Sequence, residues 1–320
     1  MHFPQPRRRP TVDRMTSVPP QPSGRSTAAG TALAVSAATS VQFGAALAAT
    51  LLPLLGPTGT VSLRFVGAAT VLVLLTRTWR VRWTARDART VVAFGLVFVA
   101  MNLSLYVAIS RLPLATAITL EFLGPLGVAI TTARSWRQRA WSVPAALGVL
   151  LIGGSLQAGD LVGVVAALGA ALAWASYILL SRRMGTSAHG LAGLALATAL
   201  GALLTVPLGL ALAGDALFVP RTLVLGLLVG VVSSAIPYSL DLLALRRLST
   251  AVFGVLTSLN PAVAALAGLV VLQQLPPSRQ LVGIGLVVLA SIGVTLPGRS
   301  RRRPGAAGDV SAQGAELVQR

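Results

Sequence analysis

The chain has 320 residues, 54% of them hydrophobic and only 11% charged, with a mean hydropathy of +0.79; a soluble domain carries about a quarter charged residues, so lipid must be the solvent for most of this one. Cysteine is absent and the two histidines, His2 and His189, fall in a tail and a loop, which leaves disulfides, metal sites, cofactors and thiol or imidazole catalysis without a platform. The net charge of +18 comes from 26 arginines at the ends of apolar runs, a membrane-topology pattern and not the single basic stripe of a nucleic-acid binder.

From Met1 to about Thr27 the chain is rich in Pro, Arg and Ser, with Arg7, Arg8 and Arg9 in a row, and cannot bury enough apolar surface to fold. It reads as a disordered cytoplasmic tail, with Met15 as a second candidate start. A twin-arginine signal peptide is the competing reading, but the apolar run Ala28 to Leu55 exceeds the ~7–15-residue core of such a signal. A membrane-crossing helix needs about 20 mostly apolar residues. Ten runs approach that description: 30–52, 58–76, 90–109, 113–133, 142–157, 161–181, 190–213, 222–244, 249–272 and 280–297. Residues 299–320 form a second polar tail. Because backbone groups in lipid must be satisfied within the segment, the runs are expected to be helices, giving an all-α membrane protein of ten transmembrane helices.

Arginine placement tests the count. With the N-terminus inside, 22 arginines fall on the cytoplasmic side, Arg111, Arg221 and Arg279 on the other, and Arg64 within the second span. A missed span would invert every later segment, so the bias predicts an even count with both termini cytoplasmic in an inner (plasma) membrane. Trp79, Trp83, Trp136 and Trp141 gather at the same expected inner interface.

The stretch Ala108-Ile-Ser-Arg-Leu, Leu120, Leu123-Gly124-Pro125 resembles Ala244-Leu-Arg-Arg-Leu, Leu256, Leu259-Asn260-Pro261 at a constant offset of 136 residues. The offset pairs span three with span eight, so the repeating unit is five helices, expected over 28–157 and 158–298. An odd unit reverses its membrane orientation when repeated. Inverted repeats characterise many secondary transporters, which hold substrate near the midplane between halves.

Polar residues inside spans carry the remaining information, since a charge at mid-membrane costs about 2.5–3.5 kcal/mol or more. Glu121 lies some eight residues into the fourth span, one turn before Pro125, whose missing N–H frees a carbonyl and bends the helix. A buried carboxyl at a kink is a candidate proton or ammonium site; gluing two helices is the plainer role. Arg64 sits at similar depth in the second span, either snorkelling to the interface or receiving a substrate carboxylate while Glu121 faces the ammonium. Asp241 lies near the inner end of the eighth span, after Pro237 and Tyr238, where Arg246 and Arg247 could satisfy it. Gln42, Asn102, Tyr106, Trp174, Tyr177 and Asn260 are neutral polar residues within spans, suited to helix–helix hydrogen bonds or to lining an amphipathic cavity. Asn102 with Tyr106, and Trp174 with Tyr177, share helix faces by spacing. Pro261 is the matching kink of the second half. Gly226-Leu-Leu-Val-Gly230 reads as close helix packing.

The run Tyr106-Val-Ala-Ile-Ser-Arg-Leu-Pro-Leu-Ala-Thr-Ala-Ile-Thr-Leu-Glu121-Phe-Leu-Gly-Pro125-Leu resembles the signature of the threonine/homoserine exporter family, of the EamA branch of the drug/metabolite transporters. Val41-Gln42-Phe-Gly-Ala-Ala-Leu-Ala, Trp174-Ala-Ser-Tyr177-Ile-Leu, Pro237-Tyr238-Ser-Leu-Asp241 and Phe253-Gly-Val-Leu-Thr-Ser-Leu-Asn260-Pro261-Ala extend the likeness from the first span to the tenth. It implies export of threonine, homoserine or similar small amino acids, coupled to the proton gradient, with no cofactor; a broader drug/metabolite exporter is the alternative within transport. The oligomeric state, monomer or homodimer, is left open. An intramembrane enzyme is the reading from another class, and the spans lack the His, Cys or paired carboxylates it needs. Two departures stand out: Asn260 where the family has an acidic residue before the second-half proline, and Gln273-Gln274 where it often has Gly-Glu. They leave Glu121 as the main candidate for proton coupling.

Overall fold

The computed structural model describes residues 24–133, 135–153, 160–184, 190–245, 247–248 and 250–295. Both expected tails beyond those limits, His189, Arg134 and Arg246 lie outside the described residues, as do the side chains of Tyr238, Arg182 and Arg183. The described residues are helical, with no strand. In chain order the helices are α1 (Gly24–Ala49), α2 (Leu52–Thr76), α3 (Ala85–Ile109), α4 (Leu114–Glu121), α5 (Leu123–Thr131), α6 (Trp136–Arg139), α7 (Ser142–Gly153), α8 (Leu161–Met184), α9 (Gly190–Ala213), α10 (Pro220–Gly230), α11 (Ile236–Leu245), α12 (Thr250–Thr257), α13 (Asn260–Leu272) and α14 (Ser278–Thr295).

Nine helical stretches among the described residues are long and apolar enough to cross a membrane. The fifth expected run, 142–157, is described only as the twelve residues of α7, because 154–159 lie outside the described set. Helix leucines such as Leu172 (71% exposed), Leu203 (70%) and Leu212 (72%) face outward. Such a surface is unfavourable in water and suited to acyl chains.

Two helices near the start of the bundle begin well before their apolar runs. α3 begins at Ala85 rather than near 90, because Thr84 and Asp87 form a capping box: the Asp87 N–H donates to Thr84 Oγ1 (3.2 Å) and the Thr84 N–H to the Asp87 carboxylate (3.1 Å). Asp87, expected in a loop, therefore sits in the first helical turn. α2 begins at Leu52 rather than 58. Its first turn bends at Gly56 (φ 62, ψ 178), a conformation that a side chain would resist, followed directly by Pro57.

Three expected single spans are interrupted near their middles. The fourth divides into α4 and α5 at Phe122, and the ninth into α12 and α13 around Ser258–Leu259. In both, a proline (Pro125, Pro261) withholds a backbone N–H from the preceding turn. The eighth consists of α10, a π-helical turn over Val231–Ala235, and α11.

The packing is between elements distant in sequence. α2 lies along α9, and α7 along α14. α3 packs on α8 and α9, α1 on α11 and α13, α2 on α10, and α4 and α5 on α8. Glycines set the closest approaches: a Cβ on Gly67 would stand 2.2 Å from the Leu227 carbonyl oxygen, and one on Gly230 2.3 Å from that of Arg64. Gly226 and Gly230 thus serve the tight packing expected of them. Gly230→Ala should lower the melting temperature of the detergent-solubilised protein, as overpacking costs about 1–3 kcal/mol. Gly285→Ala, where nothing lies within 4 Å, should be neutral or stabilising, because alanine is the better helix former. Equal melting temperatures for the two variants would contradict this crossing.

Candidate functional site

The interrupted eighth span builds the polar centre. In its π turn the Ile236 N–H reaches back to the Val231 carbonyl, and Pro237 has no N–H to offer either Val232 or Ser233. Two carbonyls are therefore left for partners from other helices, since buried backbone acceptors must be satisfied. Ser40 Oγ of α1 donates to the Val232 carbonyl (2.6 Å), and Arg64 Nη2 of α2 donates to the Ser233 carbonyl (3.3 Å). Arg64 Nε also donates to Ser233 Oγ (2.8 Å), which itself donates to the Val229 carbonyl (2.7 Å).

The third guanidinium nitrogen, Nη1, donates to Asn102 Oδ1 of α3. Asn102 is oriented for this because its Nδ2 donates to the Phe98 carbonyl one turn back (2.8 Å). Arg64 Cζ stands 5.5 Å from the centre of the Tyr106 ring, a cation–π distance. Asn102 and Tyr106 thus share the face their spacing predicts, and that face meets Arg64. The guanidinium is turned inward to these partners; it does not snorkel.

Glu121 closes α4 and is 4% exposed. Among the described residues its carboxyl makes no hydrogen bond or ion pair, yet it lies close enough to Arg64 for their charges to interact, and Tyr106 feels both. The Tyr106 hydroxyl, Gln42 Oε1 and Asn260 Oδ1 are buried with no hydrogen-bond partner. Such groups cost about 1–3 kcal/mol each and call for an explanation in function.

The other candidates lie around this centre or away from it. Tyr177 packs on Phe94 (4.7 Å between ring centres) and Phe98 (5.9 Å), while Trp174 meets Phe122 edge-on (5.7 Å). The two therefore touch α3 and the α4–α5 break respectively, a division that i,i+3 spacing alone does not show. Asp241 sits half-buried in α11; Arg247, one of its two expected partners, makes no ion pair among the described residues. Ser40 and Ser233 escaped the sequence reading. The signal for Ser233 was a Ser233-Ser234 pair one turn before a mid-span proline; Ser40 has no such local signal. A recess of about 300 Å³ between α2 and α9, lined by Ser62, Leu63, Val66, Leu210, Leu217 and Phe218, is a poorer candidate. Ser62 Oγ, its one polar group, already bonds the Thr205 (2.6 Å) and Thr58 (2.7 Å) carbonyls.

Comparison with known proteins identifies the family. The model of the EamA-like transporter family matches residues 161–296. The threonine/homoserine exporter RhtA of Salmonella typhimurium (strain LT2) is 39% identical over 271 residues, 84% of this chain and 91% of that protein. Its namesake from Escherichia coli (strain K12) is 38% identical over 267 residues, 82% and 90% respectively. One crystal structure is similar at a TM-score of 0.60 with 20% identity, over 84% of this chain and 98% of that one, which establishes a shared fold alone. This chain belongs to the RhtA family of threonine/homoserine exporters, within the EamA-like transporters.

Proposed function

We propose that the chain exports threonine, homoserine or closely related amino acids across the inner membrane by alternating access, with Glu121 as the proton-coupling group. The observation that carries this is the 38–39% identity to exporters of those amino acids over more than four-fifths of the chain. The site chemistry agrees with it. An amino acid in water is a zwitterion, and the polar centre offers a guanidinium with two N–H bonds to spare beside a carboxyl without a partner. The substrate carboxylate is received at Arg64 and its ammonium at Glu121. Gln42 Oε1 and Asn260 Oδ1 are acceptors for the ammonium or for a side-chain hydroxyl.

The architecture we assign is ten spans in two inverted halves, 28–157 and 158–298, both termini cytoplasmic, with α7 the described part of the fifth span. Element starts support the repeat: α4 and α12 begin 136 residues apart (250 − 114), as do α7 and α14 (278 − 142). The helix breaks at Phe122 and Ser258 obey the same offset. So does the packing, since the α3–α8 contact corresponds to α11–α1, and α4–α8 to α12 and α13 on α1. The family match spans the second half alone, as expected for a self-contained unit.

The test is counterflow in proteoliposomes with labelled threonine or homoserine, against a panel of amphipathic toxic compounds. Exchange confined to the amino acids supports the proposal. Exchange of the panel with no amino-acid exchange overturns it in favour of a broader exporter.

A further inference from the structure

α4 is an eight-residue rod with Glu121 at one end. Its other end begins at Pro113 without a side-chain cap, so its first N–H groups need partners from elsewhere. The second half of the chain supplies one. Gln274 Oε1 accepts from the Leu114 N–H (2.9 Å). The left-handed residue Gln273 (φ 55, ψ 32) ends α13 and turns the chain so that Gln274 lies over α4, its own N–H held by the Gly268 carbonyl (3.0 Å). Two residues further along α4, Thr116 Oγ1 donates to Gln280 Oε1 of α14 (3.2 Å), with both residues buried.

Two glutamines of the second half thus grip the Leu114 end of the helix that carries Glu121, while the break at Phe122 separates α4 from α5. We propose that Gln274 and Gln280 are positioning residues of the transport cycle. They hold α4 closed against α13 and α14, and their release lets α4 pivot at Phe122 and open Glu121 towards that side of the membrane. What passes through rests on the exporter reading above; the latch does not.

The cysteine-free chain allows a direct test on the purified full-length protein in detergent. Ala267→Cys places a thiol in α13 at the latch end, and Ala290→Cys places one in α14 towards the opposite end; both alanines are 0% exposed. The rate of maleimide labelling then reports opening at each end. Gln274→Ala should label Ala267→Cys about fivefold faster than the parent, as expected for one lost hydrogen bond, and Gln280→Ala at least as much, with Ala290→Cys unchanged in both. Gln274→Glu should label at the parent rate or below, because a carboxylate accepts more strongly at a helix N-terminus. Parent rates at Ala267→Cys in all three variants overturn the latch. Equal acceleration at both reporters also overturns it, since that is general loosening. Gln274→Asn, too short to reach Leu114, substitutes if an alanine variant is not monodisperse. Failed threonine counterflow alongside end-specific labelling removes the exporter reading and keeps the latch.

Discussion

Replacing Arg64 by lysine is expected to reduce amino-acid counterflow at least about tenfold although the positive charge is kept. The planar guanidinium serves the Ser233 hydroxyl, the Ser233 carbonyl and Asn102 Oδ1 from three nitrogens at once. A lysine ammonium is a single point on a flexible stem and cannot span acceptors on two helices while leaving donors free for a carboxylate. Each acceptor left unpaired costs about 1–3 kcal/mol, and the carbonyl released by Pro237 has no backbone donor one turn ahead to fall back on. The melting temperature should therefore fall with the activity, and Arg64→Met should lower both further. Wild-type counterflow by Arg64→Lys would remove the fork geometry from the account.

Glu121→Gln should separate function from stability. The amide matches the carboxyl in shape but carries no charge and takes up no proton. Counterflow of threonine should fall at least about tenfold, because the interaction with the ammonium loses its ionic component, and what remains should lose its pH dependence. Stability should hold or rise, since a buried carboxylate without a hydrogen-bonding partner is costly to desolvate and a neutral amide less so. A Glu121→Gln protein that melts earlier and transports at an unchanged rate per folded molecule would mark the residue as structural.

Much of this arrangement is legible in the amino-acid order, and the reason is the solvent. In lipid a polar residue within a span is expensive, so its mere presence is informative. Arg64, Asn102, Tyr106 and Glu121 were all identifiable in this way, and the structure gathers them at one centre. Spacing on one helix also placed Asn102 and Tyr106 on a common face correctly. It said less about Trp174 and Tyr177, because side chains three residues apart still point about 60° from one another on a helix and can meet different neighbours, here Phe122 and the Phe94–Phe98 pair.

What escaped the sequence reading depends on partners far along the chain. The π turn at Val231–Ala235 needs Ser40 and Arg64 to satisfy the carbonyls it releases, and no local pattern names them. Helix starts were misplaced where hydropathy and capping disagree: the Thr84–Asp87 box starts α3 among arginines. The Gln273-Gln274 departure was visible as a lost carboxyl, but its geometry was not. Gln273 occupies a left-handed conformation that glycine adopts at no steric cost, and Gln274 keeps an acceptor where the family resemblance implies a glutamate.

In the proposed site, Arg64 and Glu121 together read the two charges of an amino acid. This claim is tested most directly by ligand-induced thermal stabilisation of the purified protein with L-threonine, its methyl ester and its N-acetyl derivative. Threonine alone should raise the melting temperature; at about 100 times its dissociation constant a ligand contributes some 2.7 kcal/mol. Arg64→Met should abolish its advantage over the ester, and Glu121→Gln its advantage over the N-acetyl compound. Equal stabilisation of the wild-type protein by all three compounds would contradict the claim.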